Sequence, residues 1–264
     1  MRISIEHTTH YVYQEPMRSS TQYLRLVPQS NARQRVLEWR LDAPAVPLEL
    51  IDGYGNITHL LTIKGPVSEI VIRSAGIVET SAPRHEPREE SKLSPLVFLR
   101  PTALTTATGA LAEFAETYRR RASTISGLRE LAEAVHARLP FVFGVTDTFS
   151  DAAHAFAAGC GVCQDHAHVF IACCRHVGVP ARYVSGYLYL PETSETPVAS
   201  HAWAEAWVVD RWRSFDITNR QAAGERHIRL ATGGDYLDAS PVRGIRRGGG
   251  DERMVAGAII GADQ

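Results

Sequence analysis

The stretch from Gly159 to Val177 reads Gly-Cys-Gly-Val-Cys-Gln-Asp-His-Ala-His-Val-Phe-Ile-Ala-Cys-Cys-Arg-His-Val and decides how the rest of the chain is interpreted. Its apolar residues recur at helical spacing, at Ala167, Phe170, Ile171, Cys174 and Val177. The glycine and proline of Gly178-Val-Pro180 end the predicted helix. One turn before Ala167 on the same stripe stands Cys163, so we expect its thiol at the helix start, on the inward face.

Three predicted strands follow this helix. Ala181–Leu190 is rich in Tyr and Val. The second strand lies in Ser200-His-Ala-Trp-Ala-Glu-Ala-Trp207, where His201 shares one face with every second residue. The third, Trp212-Arg-Ser-Phe-Asp216, follows the turn residues Asp210-Arg211. Helices followed by an antiparallel meander predict an α+β domain.

Cys163, His201 and Asp216 together supply the residue types of a thiol nucleophile, its base and an orienting group. A helix N-terminus favours the anionic thiolate, which is the reactive form of cysteine. His201 can take the proton of the thiol, and Asp216 on the adjacent strand can orient the imidazole. Each residue also has a structural interpretation: a buried free cysteine, a hydrogen-bonded strand histidine and a turn aspartate.

The pairing of these two strands leaves the orienting residue open. If Asp210-Arg211 forms a tight two-residue turn, Asp216 lies opposite Glu205. Asp216 is then offset from His201 by about 13 Å along the strand. A bulge or a bend must close that gap, and Glu205 is a rival orienter.

The first 80 residues read as short β-strands separated by turn signals, at 3–13, 22–28, 36–41, 57–63 and 70–78. Strands at this spacing predict a small β-sandwich domain at 1–80. Residues 81–101 contain four prolines and a charged stretch, and we interpret them as a linker or surface crossing. Residues 102–264 then form the second domain, which begins with two amphipathic helical stripes.

The composition is that of an ordinary soluble globular protein. The 264 residues are 44% apolar and 22% charged, with a formal net charge of -1. No global field attracts nucleic acid or an anionic membrane, and the basic cluster Arg243, Arg246 and Arg247 reads as a solvated, glycine-rich loop. No secretory signal is recognised, so we expect a cytoplasmic protein. The four cysteines cluster within 15 residues, which argues against a secreted disulfide framework.

Four segments resemble the bacterial transglutaminase-like proteins: Gly161-Val-Cys-Gln-Asp-His-Ala-His168, Arg175 to Tyr187, Ser200 to Trp207 and Trp212 to Asp216. The region from Ile3 to Tyr13 is similar to the domain that precedes the catalytic one in that family, and Tyr236 to Gly250 resembles its C-terminal segment. The resemblance implies an N-terminal β-sandwich domain followed by a papain-like α+β catalytic domain.

The same resemblance implies a Cys–His–Asp triad, which maps onto Cys163, His201 and Asp216. It implies acyl transfer on peptide or isopeptide-type amides through a thioester on Cys163, and we favour hydrolysis over transfer to an amine. The alternative is a catalytically silent binding or scaffold protein. We expect no cofactor and no required metal, a peptide or protein amide as substrate, and neither nucleic acid nor membrane as partner.

The oxyanion hole is expected to include the backbone N–H of Cys163. Further candidates for substrate binding or the oxyanion hole are Gly161, Gln164, Tyr183, Tyr187 and Trp203.

Two other interpretations involve the same helix. Cys160, Cys163, His166 and His168 could bind zinc, although on a helix His168 lies about 140° from Cys163. Cys160-x-x-Cys163 also has redox-type spacing, and a disulfide there would silence the nucleophile. Cys174, on the inward stripe, is expected in the core.

Overall fold

Two antiparallel sheets, with helices packed on the second, make up the described part of the chain. The computed structural model describes residues 1–81, 93–191 and 200–263. Residues 82–92, which form much of the predicted linker, lie outside these ranges. Across the three described ranges, no helix combines the length and the apolar character that crossing a bilayer requires.

The strands are β1 (Arg2–Leu24), β2 (Gln34–Asp42), β3 (Leu48–Ile51), β4 (Ile57–Thr80), β5 (Ala181–Leu188), β6 (His201–Val208), β7 (Arg211–Phe215), β8 (His227–Gly233), β9 (Val242–Gly248) and β10 (Glu252–Asp263). The α-helices are α1 (Gly109–Glu116), α2 (Ile125–Arg138), α3 (Ala152–Ala158), α4 (Cys163–His176) and α5 (Tyr236–Ala239). Two short 3-10 segments, Pro95–Leu99 and Ala103–Thr105, precede α1.

The N-terminal sheet is built around β1 and β4, two long strands that pair over most of their length. Register shifts between Val12 and Ser19 interrupt the pairing. Bulges bend a sheet at such points, and apolar side chains from β1 and β4 on both sides of the interruption lie in one core. The buried members of that core are Tyr13, Met17, Leu24, Leu26, Leu61, Ile63, Ile70 and Ile72. The sequence predicts separate strands at 3–13 and 22–28 because the exposed residues 14–16 interrupt the alternation, but both stretches begin within the single strand β1.

The C-terminal strands complete this N-terminal sheet. β10 pairs with residues 2–13 of β1, and β9 pairs with residues 17–24. Gly248, Gly249 and Gly250 all have positive φ, so the chain turns from the end of β9 into the connection that leads to β10. Residues 242–263 therefore join residues 1–80 in one sheet, whereas the sequence placed them in the second domain. The basic residues predicted to form a loop are on β9, because backbone pairing with β1 holds a strand that has no apolar alternation of its own.

The second sheet has the strand order β7-β6-β5-β8 and is antiparallel. α4 packs on β5 and β6, and α1, α2 and α3 pack around α4. The stripe identified from sequence, from Ala167 through Phe170 and Ile171 to Cys174, is fully buried. The predicted α+β architecture is confirmed, and its most deeply embedded helix is the one that carries Cys163.

The two sheets pack against each other through a small apolar core made of Ile3, Ile5, Val78, Tyr187, Ile228, Leu230, Ala258 and Ile260. Tyr187 is fully buried there, and its hydroxyl lies 2.9 Å from Nδ1 of His7 on β1. Tyr187 was expected beside the substrate. Its place between the sheets corrects that expectation, because a side chain without exposed surface cannot line a cleft.

Candidate active site

The N-terminus of α4 is capped from within its first turn. Oδ2 of Asp165 accepts hydrogen bonds from the backbone N–H of Val162 (2.8 Å) and from the hydroxyl of Thr146 (2.6 Å). This packing requires a glycine at 161, since a Cβ there would lie 2.6 Å from Oδ2 of Asp165. The helix therefore begins at Cys163, whose partly buried thiol stands where free N–H groups and the helix dipole favour an anion.

Gly161 and Gln164 hold a loop against this helix. The N–H of Gly161 donates to the carbonyl of Pro140 (3.2 Å), so it is not free to bind an oxyanion as the sequence suggested. The side chain of Gln164 is buried, and its amide donates to the carbonyl of Asp147 (3.4 Å). The backbone N–H of Gln164, which lies in the first turn of α4, remains a candidate donor to an oxyanion.

His201 lies between Asp216 and the thiol of Cys163, as the sequence predicts. Nε2 of His201 lies 2.9 Å from Oδ2 of Asp216, and both side chains are largely or fully buried. Cys163 is close enough to His201 to contribute to raising the pKa of its imidazole. Since Nε2 is engaged by the carboxylate, Nδ1 is the ring nitrogen left to face the thiol. The structure thus brings together all three residues of the predicted triad.

The pKa values of His201 and Asp216 are shifted in opposite directions. Burial disfavours the imidazolium, but hydrogen bonds and charges from Asp216 and Cys163 outweigh it and raise the pKa of His201 well above its ordinary value. Burial likewise opposes the carboxylate, yet hydrogen bonds from His201 and His227 hold the pKa of Asp216 well below its usual range. At neutral pH the site therefore contains an ionised aspartate and a protonated imidazole beside the side chain of Cys163.

The strand register explains how Asp216 reaches His201. The turn between β6 and β7 consists of Val209 and Asp210, both with positive φ (64° and 123°), so it begins one residue earlier than predicted. Phe215 consequently pairs with Ala204, and the next residue, Asp216, is two positions from His201 rather than four. Asp216 then leaves the strand and pairs with Gln221.

Glu205, the rival orienter, is engaged elsewhere. Its Oε2 accepts hydrogen bonds from Nε (2.8 Å) and Nη2 (2.5 Å) of Arg182 on β5. The guanidinium of Arg182 in turn stacks over the ring of Trp212, 4.2 Å from its centroid. Glu205 therefore belongs to a structural ion pair, and Asp216 is the carboxylate that contacts His201.

Two further side chains hold Asp216, and sequence reasoning identified neither. Nε2 of His227 lies 3.0 Å from Oδ2, and the side-chain amide of Asn219 donates to the same oxygen at 2.8 Å. Asn219 follows Asp216 by three residues in a turn sequence, which is the one local signal that could have indicated it. His227 lies on β8, and no spacing in the sequence connects it to the triad.

The loop after Asp216 is also tied to the helices. Nδ1 of His166 lies 2.8 Å from the hydroxyl of Thr218, and its Nε2 donates to the carbonyl of Leu139 at 2.6 Å. Nδ1 of His136 on α2 lies 3.1 Å from the carbonyl of Ile217. His166 is thus a link between the first turn of α4 and the loop that positions Asp216, not a zinc ligand.

Trp203 and Tyr183 support the site from inside the protein. Trp203 is 2% exposed, and its ring stacks beside His201 with centroids 6.1 Å apart. Tyr183 is equally buried and packs against His168, yet the charge of Cys163 still adds to burial in raising the pKa of Tyr183. Both were candidates for substrate contact, and their burial assigns them to the core behind the site instead.

The proposed zinc ligands are not assembled. Both ring nitrogens of His166 contact protein atoms, and Nε2 of buried His168 accepts the backbone N–H of Tyr236 at 3.1 Å. All four cysteines are free, so Cys160 and Cys163 form no disulfide in this structure. Burial raises the pKa of Cys173 and Cys174, which makes both thiols inert.

His201, Asp216 and His227 are a second possible metal set, with donor atoms within 4.8 Å of one another. Each histidine nitrogen lies at hydrogen-bond distance from one carboxylate oxygen, 2.9 and 3.0 Å. A zinc ion would need contacts of about 2.0 Å to these atoms. The observed distances describe a proton-linked network, and Asn219 donates to the same oxygen.

Two known protein families match parts of this chain. Residues 3–79 match the bacterial transglutaminase-like N-terminal region, and residues 112–217 match the transglutaminase-like superfamily. An uncharacterized protein from Mycobacterium leprae is 30% identical over 264 residues, which cover 94% of each chain. The chain belongs to the transglutaminase-like superfamily. A second superfamily relative, an uncharacterized protein from Mycobacterium bovis, is 32% identical over 273 residues and covers 92% of this chain and 87% of its own.

A crystal structure of a candidate cysteine protease from Cytophaga hutchinsonii has the same fold. It superposes with a TM-score of 0.76 at 21% identity and covers 100% of this chain and 92% of the other. At this identity the likeness shows a shared fold alone. The predicted resemblance to transglutaminase-like proteins is confirmed by the family matches at residues 3–79 and 112–217.

Proposed function

We propose that this transglutaminase-like protein is a cysteine-dependent enzyme that cleaves peptide or isopeptide-type amides. The observation that carries the proposal is the order of the three groups: His201 lies 2.9 Å from the carboxylate of Asp216, and Cys163 is near enough to raise the pKa of the same imidazole. Nucleophile, base and orienting group in that order are what covalent acyl transfer needs. A catalytically silent binding protein would have no need for a charged histidine buried beside a thiol.

The first half of the reaction forms a thioester. The thiolate of Cys163 attacks the carbonyl carbon of the amide, a C–S bond forms and the carbonyl oxygen becomes negative. The free N–H groups of the first helical turn, including that of Cys163, are placed to hold this oxyanion. As the C–N bond breaks, the leaving amine takes the proton of Nδ1 of His201, and a neutral imidazole remains.

The second half releases the acyl group. Neutral His201 removes a proton from water or from a second amine as that molecule attacks the thioester carbonyl. The C–S bond breaks, the thiolate of Cys163 is restored, and His201 again holds a proton. Because Cys163 is partly exposed, water can approach a thioester formed there, so hydrolysis is the favoured outcome.

The surface beside the nucleophile is apolar, which bears on the substrate. The carbonyl of Gly161 accepts the N–H of Val142 (2.9 Å), which ties the loop that follows Leu139 to the start of α4. In that loop Phe143 and Phe149 are exposed to solvent over 75% and 72% of their surface. Exposed aromatic groups next to a reactive centre are typical of a binding surface. We therefore expect substrates with bulky apolar side chains near the scissile amide.

A product assay tests this function. Peptide and isopeptide amides with apolar or polar flanking residues are incubated with the protein, with and without a primary amine, and the products are identified by mass spectrometry. We expect the free acid as the main product in both conditions, from apolar substrates in preference to polar ones. A predominant amine adduct would instead assign a transferase, and absence of turnover across the whole panel would favour the scaffold.

A further inference from the structure

His227 is a buried histidine whose two ring nitrogens have defined roles. It is 7% exposed at the start of β8. The backbone N–H of Gly224 donates to Nδ1 at 3.1 Å, so Nδ1 is an acceptor and the ring proton is on Nε2. Nε2 then donates that proton to Oδ2 of Asp216 at 3.0 Å. The pKa of His227 is lowered by burial, which agrees with a neutral ring at this position.

The oxygen that receives this bond is the one that orients the catalytic base. Oδ2 of Asp216 lies 2.9 Å from Nε2 of His201, 3.0 Å from Nε2 of His227 and 2.8 Å from Nδ2 of Asn219. Every donor shared by a carboxylate oxygen takes part of its negative charge. The strength with which Asp216 holds a proton on His201 therefore depends on the other two donors.

We propose that His227 is a positioning residue of this site: through its hydrogen bond it fixes Oδ2 of Asp216 in line with His201 and moderates the carboxylate charge, so that the imidazolium can release its proton. The proposal rests on the proposed function, in which that proton goes to the leaving amine. A base bound too strongly to its proton is a poor general acid.

The other titratable or charged groups around the cluster come from two directions. Cys163 and His166 face it from α4, and Arg33 faces it from the segment before β2. The guanidinium of Arg33 donates to the carbonyl of Ala223 at 2.8 Å, beside the turn that leads to His227. None of these groups changes when His227 is substituted, so their fields are common to all variants below.

Two substitutions separate the two roles of the ring. His227→Asn keeps an acceptor close to the position of Nδ1, for the N–H of Gly224, and loses the donor that reaches Asp216. His227→Gln keeps a donor close to the position of Nε2. His59→Asn is the matched control, because His59 is a buried histidine of the N-terminal sheet, paired with Glu49 at 3.3 Å.

The readout is the pKa of His201, measured by imidazole ¹⁵N NMR in the absence of substrate, together with the pH profile of kcat/KM. With the donor lost, Asp216 holds the His201 proton more tightly. We expect His227→Asn to raise the pKa of His201 and the alkaline limb of the profile by about one unit. At neutral pH kcat should fall by about tenfold while KM is unchanged. His227→Gln should lie close to the wild type, and His59→Asn should match it.

The outcomes distinguish this inference from the function on which it rests. If His227→Asn folds and loses activity while the pKa of His201 is unchanged, His227 only supports the fold and the inference is wrong. If the pKa moves as expected but the wild type turns over no amide, the inference stands and the proposed function fails. If His227→Asn does not fold, His227→Phe takes its place. It also lacks the donor to Asp216, so the same rise in the pKa of His201 is expected.

Discussion

Replacing Cys163 with alanine should abolish the turnover of every amide substrate that the wild-type protein accepts, by at least about 10³-fold. The reason is that water alone must then attack an amide, without a thioester to divide the reaction into two easier steps. The side chain is partly buried at a helix terminus, so the same substitution should change the free energy of unfolding by no more than about 1 kcal/mol. The checks are kcat/KM on the best substrate and denaturant unfolding.

Cys160→Ala is the matched control for this experiment. Cys160 lies three residues away and is also free and partly exposed, and its thiol faces the carbonyl of Ala158 at 3.9 Å rather than a histidine. Its removal should leave kcat/KM within about twofold of the wild type. Residual activity in Cys163→Ala, or equal losses in both variants, would assign the chemistry to another group.

Removing the charge of Asp216 with Asp216→Asn should lower kcat by about 10²- to 10⁴-fold. The carboxylate raises the pKa of His201, so its loss should lower that pKa and move the alkaline limb of the pH profile to lower pH. This direction is opposite to the one expected for His227→Asn. The profile of kcat/KM between about pH 5 and 10 measures both the loss and the direction.

Glu205→Gln makes the same chemical change on the neighbouring strand and serves as the control. Glu205 pairs with Arg182 and does not contact His201, so this variant should lose stability rather than shift the pH profile. Its kcat/KM, measured below the unfolding transition, should stay within about threefold of the wild type. A profile that moves with Glu205 and not with Asp216 would reverse the assignment of the orienting residue.

The start of α4 was predictable from sequence because two local signals agree there. The apolar stripe fixes the inward face, and Cys163 is one turn before Ala167 on that face. The strand register was harder to predict. When the turn moves by one residue, from Asp210-Arg211 to Val209-Asp210, the partner of every residue on the next strand moves by two positions. Period-2 alternation identified the face shared by His201 and Trp203, but not that the helices and sheets bury all of Trp203.

Other features depend on contacts between distant parts of the chain. His227 lies on β8 and Asp216 directly follows β7, and their contact follows from the sheet order and from the turn in which Asp216 pairs with Gln221. The strands β9 and β10 return to β1 across more than 200 residues, and no local pattern encodes that pairing. Local propensity therefore predicted the elements, while tertiary packing decided which residues support the site.

The central claim is that His201 activates the thiol of Cys163, and the alkylation rates of individual cysteines test it most directly. Iodoacetamide is applied at pH 7, and peptide mass spectrometry follows Cys163 and Cys160 in the same molecule. We predict that Cys163 reacts at least about tenfold faster than Cys160 in the wild type, and that His201→Phe removes the difference. Equal rates in the wild-type protein, or a fast Cys163 that is unaffected by His201→Phe, would contradict the account.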